Sequence, residues 1–159
     1  MTMRHRVNVQ GYWLVSVDRA ATTAAYAALP AWGGLSGCDT PLCENFRQAY
    51  SLLPPAFLSV LITMGVDPAK PAELYDVEPP QGGACLCGGW YHAVGELLAG
   101  RDALQPGQLN RYEVILREVS AGFRMGITAR LAALPGSFPA PALQIEFWGQ
   151  VPWVIASLG

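Results

Sequence analysis

The stretch 40-TPLCENFRQAYSLLPPAFLSVLITMGVDP-68 decides the fold, because the helical periodicity of the chain gathers here and ends here. Thr40 before Pro41 reads as an N-cap with proline in the first turn, and Glu44 supports that start. Leu42, Phe46, Tyr50 and Leu53 recur at helical spacing and predict a first helix to about Leu53. Pro54 and Pro55 break it and open a second helix, Ala56 to Met64, which ends at Gly65 with Pro68 beyond. Two short helices joined at a proline pair make a helical hairpin.

Upstream, Val7, Val9, Trp13, Val15 and Val17 occupy odd positions, the alternation of a strand disturbed near Gly11. Asp18 then caps an alanine-dense helix, Arg19 to Leu29, that Pro30 stops; Ala31 to Thr40 reads as a loop. Downstream of Lys70 the period changes to two. Leu74 to Val77 is a short strand, and Cys85 to Leu98 a longer one whose Gly88, Gly89 and Gly95 imply bulges or close backbone approach. Arg101 to Gln108 reads as a polar connection and Tyr112 to Val119 alternates weakly. Phe123 to Leu131 alternates as a half-exposed strand, and Leu143, Ile145 and Phe147 alternate with Gln144, Glu146 and Trp148 in a last one. Trp148 is expected either to pack under the helices or to mark a contact surface. Strands that follow one another directly, with the helices in the first half, predict an α+β fold. The expected architecture is a mainly antiparallel sheet of five or six strands, with the helical hairpin and one further helix packed on one face. At 52% hydrophobic and 14% charged, with no repeat or linker, residues 1–159 read as a single compact domain.

A net charge of -2, with basic residues scattered singly from Arg4 to Arg130, leaves no basic stripe for nucleic acid. The longest apolar run, Ala56 to Val66, is about half of the ~20 residues that span a bilayer. Arg4 and Arg6 precede an apolar run as in a secretory leader, but Asn8, Gln10 and Gly11 interrupt it and Asp18 and Arg19 follow. A cytoplasmic protein is therefore expected, one whose thiols stay reduced.

Four cysteines are the sharpest chemical feature. Cys38 and Cys43 are spaced C-x4-C, leading into the hairpin's first helix; Cys85 and Cys87 are spaced C-x-C on a strand, where alternation puts both on one face. Four thiolates would close a tetrahedral zinc site, although neither pair has the C-x2-C spacing of a structural knuckle. The same residues also read as buried small hydrophobes, or as a redox pair with Cys43 activated at a helix N-terminus and Cys38 resolving it. His92 is the one credible general base, with Tyr91 and Glu96 as its candidate partners. No glycine pair extends to a phosphate loop, and no serine sits in a nucleophile elbow.

Taken together, Gly37-Cys38-Asp39, Cys43-Glu44-Asn45-Phe46, Gly65-Val66-Asp67-Pro68, Gly89-Trp90-Tyr91-His92, and Leu143 to Phe147 with Pro152-Trp153 resemble a family of small uncharacterised bacterial proteins over most of the chain. That resemblance implies no activity. The preferred reading is a non-enzymatic binding or interaction domain for a protein or small-molecule partner, without nucleic acid or membrane. A zinc protein that uses all four cysteines and an enzyme built on His92 are the alternatives.

Overall fold

The computed structural model describes residues 3–156. Its strands are β1 (His5–Val9), β2 (Trp13–Val17), β3 (Glu73–Asp76), β4 (Ala84–Ala99), β5 (Leu104–Pro106), β6 (Tyr112–Val114), β7 (Arg117–Ser120), β8 (Phe123–Thr128) and β9 (Ala142–Pro152). The helices are α1 (Arg19–Ala28), α2 (Pro41–Ala49) and α3 (Pro55–Met64). Seven strands form one antiparallel sheet, in the order β1-β2-β4-β9-β8-β7 with β3 also on β4; β5 and β6 form a separate ribbon. The fold is α+β, as the sequence predicts, with one strand more in the sheet. Among the described residues no helix is long and apolar enough to cross a membrane.

Local chemistry accounts for the element ends. Asp18 Oδ1 accepts the Ala21 N–H at 2.9 Å and Thr40 Oγ1 accepts the Cys43 N–H at 3.3 Å, so both predicted caps form. The hairpin's first helix stops at Ala49, and a 3-10 turn over Tyr50–Leu52 carries the chain to Pro54. A residue before proline is pushed out of the helical region, which tightens the last turn. The disturbed first strand is a hairpin. Gln10 (φ 56°) and Gly11 (φ 76°) are both left-handed, as a tight hairpin turn requires, and Tyr12 N–H donates to Val9 O. His5, the first residue of β1, pairs with Val17.

Strand β8 corrects a second expectation. It ends at Thr128 and is covered on both faces, because a Cβ at Gly126 would fall 2.6 Å from Ala103 and 2.8 Å from Leu116. The 101–116 segment supplies that cover, and Arg124 is its one exposed residue.

Alternation along β4 and β9 sends Cys85, Cys87, Tyr91, Leu143, Ile145 and Phe147 to the helix side, where all are buried. Phe57 of α3 sits at the centre, with ring centroids 5.0 Å from Phe123, 5.5 Å from Phe147 and 6.2 Å from Tyr91. Phe46 of α2 stacks on Phe147 at 6.1 Å. Such rings supply most of the buried apolar area of a small core. Strand β4 is bordered by β3 near Trp90 and by β2 from Gly95 onward, leaving its edge bare between them. Helix α1 closes that gap with hydroxyls one turn apart. Tyr26 Oη donates to His92 O at 2.8 Å and accepts from His92 N at 3.0 Å, while Thr22 Oγ1 accepts from Val94 N at 2.9 Å.

Candidate functional site

At the N-terminal end of β4 the helix-side face is not filled. A cavity of about 510 Å³ opens between the loop before α2, the first turn of α2, β3 and the end of β9. Its floor is Cys85 with Leu74, and Asp76, which alternates onto the same face of β3 as Leu74, stands exposed at the mouth. One wall is the loop residue Leu35 with Cys38, and the start of α2 adds Leu42 and Cys43. The far wall is Pro80, in the β3–β4 turn, and Trp153 just after β9.

Three devices fix these walls. Gly34 lets the loop lie against the Pro71–Ala72 backbone: its N–H donates to Pro71 O at 3.1 Å, and a Cβ there would fall 2.1 Å from Ala72 O. Arg47 of α2 donates to the Leu35 and Cys38 carbonyls and lies 5.9 Å from the Trp32 ring centroid. Asn45, fully buried, donates to Pro152 O at 2.9 Å and accepts from Val154 N at 2.7 Å, pinning the segment that carries Trp153. Trp153 N–H then donates to Gly83 O at 2.8 Å.

The four cysteines meet different fates. Cys38 and Cys43 form a disulfide across a Cα–Cα distance of 6.0 Å, tying the loop to the first turn of α2. Cys85 and Cys87 are free and buried. Desolvation, with the Asp76 carboxylate adding to it, raises the Cys85 thiol; burial, then Cys85 and Asp76, pushes Cys87 up to about 12. Burial thus disfavours both thiolates, which makes the two thiols poor nucleophiles at neutral pH. In this fold the four sulfurs of the expected zinc set, Cys38, Cys43, Cys85 and Cys87, are divided, two bonded to each other and two free. Among the described residues no three His, Cys, Asp or Glu side chains gather as a metal site.

His92, Tyr91 and Glu96 are not brought together either. Tyr91 points into the core and donates to Pro68 O at 2.8 Å, and burial drives its hydroxyl well above the usual range. Glu96 pairs with Arg4 at 3.0 Å near the surface. His92 lies on the other face, 2% exposed, with Nε2 3.0 Å from Gln144 Oε1. That oxygen also accepts from Ala132 N at 2.7 Å, and Gln144 Nε2 donates to Glu146 Oε1, so His92 is the donor in its bond. Burial lowers His92 and raises Glu146 from their ordinary values. The ring of Phe138 lies 5.9 Å from His92, and Trp90 Nε1 donates to Ala132 O, closing loop 129–141 over the array. Trp148 faces the same side, with Arg124 5.9 Å from its ring centroid. It borders a smaller recess of about 210 Å³ formed with Tyr75 and Leu116.

Sequence reasoning singled out Cys38, Cys43 and Cys85 but missed Leu74, Asp76, Pro80 and the placement of Trp153. The Leu74/Asp76 alternation was legible. What it faces depends on a long-range pairing that no local pattern encodes. No protein-family model, curated protein or solved structure matches the chain.

Proposed function

We propose that the chain is a binding module, not an enzyme, and that its site is the disulfide-edged cavity at the start of β4. The observation that carries this reading is the cavity itself. About 510 Å³ lies within the range of small-ligand sites, and its lining is mostly apolar with a few polar groups at the mouth. Walls held by Arg47, Asn45 and the disulfide make it preformed, which lowers the ordering cost of binding. The separation of His92, Tyr91 and Glu96 supports a non-catalytic role. The Cys38–Cys43 bond favours an oxidising compartment over the cytoplasm that the sequence suggested, since cytosolic thiols stay reduced.

The test is a ligand-observed NMR screen of neutral aromatic and aliphatic fragments, run in parallel on Leu42→Trp, which fills the cavity from a half-buried position on α2. At least one fragment should bind the unmodified chain with Kd under about 1 mM, roughly 4 kcal/mol. The variant should melt as a folded protein and lose that binding. Equal binding to both, or no binding to either, overturns the proposal.

A further inference from the structure

We infer that the ligand of this cavity carries a positive charge, a primary ammonium or a guanidinium on a compact apolar body, with the cation seated at Asp76. The inference rests on reading the cavity as the binding site. Among the described residues, Glu73 and Asp76 are the only charged side chains that line it, and both are acidic. Neither has a cationic partner, because Arg4–Glu96 is the one ion pair among the described residues. Glu73 turns its Oε1 back onto the Leu74 N–H at 3.2 Å, which leaves Asp76 as the uncommitted carboxylate. Asp76 shares the cavity face of β3 with Leu74 and stands opposite Cys87.

The charged side chains that line the cavity agree in sign; the contrary group is the buried Trp153 Nε1–H, which has no acceptor among the described residues. Arg47, the cation on the neighbouring helix, does not line the cavity and gives its Nη2 to the Leu35 and Cys38 carbonyls, with its Nε buried and unpartnered. The positive end of α2 offers little to an anion, since Thr40 accepts the Cys43 N–H and Glu44 stands in the first turn. Trp153 in the far wall adds an aromatic surface, and such surfaces attract cations as well as apolar groups. A carboxylate, an indole and an apolar floor suit an arylalkylamine better than its neutral or acidic isosteres.

Three probes of matched shape separate the possibilities: 2-phenylethylamine, 2-phenylethanol and 3-phenylpropionate, titrated calorimetrically into the full chain at neutral pH and low salt. The amine is expected to bind about tenfold tighter than the alcohol, with the carboxylate weakest; charge-assisted hydrogen bonds have this size. Asp76→Asn, an exposed position, should bring the amine to the level of the alcohol and leave the alcohol unchanged, while Glu73→Gln changes either by less than about twofold. Equal affinity for amine and alcohol, tighter binding of the carboxylate, or an amine preference that survives Asp76→Asn overturns the charge inference while leaving the cavity as a site. Failure of all three probes to bind overturns the cavity reading and this inference with it.

Discussion

The two faces of β4 and β9 are both buried, yet they are buried in opposite ways. The face toward α2 and α3 is apolar and packed at Phe57, Tyr91 and Phe147, but it gives out at one end into an open cavity. The other face carries His92, Gln144 and Glu146, which bond to one another and to the backbone beneath loop 129–141. A sequence reader looks for chemistry where polar residues are. Here the polar residues saturate one another, and the space is left on the apolar side. Buried polar groups must be paired to be tolerated, so their burial alone does not mark a site.

The contrast can be broken most severely from the apolar side. Phe57→Ala removes the ring shared by Tyr91, Phe123 and Phe147 and should cost about 3–5 kcal/mol in denaturant unfolding, as deletions of large core rings do. A loss under about 1 kcal/mol would mean that the helices do not pack as described.

Breaking the polar side should cost less and leave binding untouched. Gln144→Leu strips the Ala132 N–H, His92 Nε2 and Glu146 of their common partner, and about 1–3 kcal/mol is expected for buried groups left unpaired. Fragment binding at the cavity should not change, and a loss of binding by a folded Gln144→Leu would place the site on the wrong face. Asn45→Ala sharpens the comparison from the other direction. It releases the segment holding Trp153, for a similar stability cost, and should also weaken fragment binding.

How much of this was legible in the sequence follows the range of the interactions. Thr40, Asp18 and the Pro54-Pro55 break act over a few residues, and the elements they bound start where the periodicity placed them, although α2 ends at Ala49 and not near Leu53. The glycines of β4 were read as bulges or close backbone approach, and Gly89 and Gly95 show the approach: a Cβ there would fall 2.3 Å from Glu73 O and 2.1 Å from Ser16 O. Strand β8 misled because its alternation records Arg124 alone; the cover at Gly126 comes from Ala103, in a stretch that read as a polar connection, and from Leu116, in one that alternates weakly. Cys38 and Cys43 were grouped with Cys85 and Cys87 by residue type, whereas the turn into α2 sets the first two against each other. Lys70, the only lysine, caps α1 from the loop after α3, donating to Tyr26 O and Leu29 O, a contact made across more than forty residues.

Smaller effects come from titration. Glu146 is raised above its ordinary 4.5 in the fold, so the stability of its neutral form is present below that pH and is lost as pH climbs toward the raised value. His92 is lowered from 6.5, so its contribution is present above 6.5 and is lost as pH falls toward the lowered value. Glu146→Gln should therefore raise the melting temperature at pH 8 and flatten the fall that begins above pH 4.5, with little change near pH 4. An unchanged profile would mean that Glu146 is solvated.

The central claim, that the open end of the apolar face is the binding site, is tested most directly by amide chemical-shift mapping during titration with a fragment that binds. Shifts gathered at Leu35, Leu42, Leu74, Asp76, Cys85 and Trp153, with the amides of His92, Gln144 and Glu146 unmoved, are the predicted result. Shifts centred on His92 and Gln144, or on the recess beside Trp148, would contradict it.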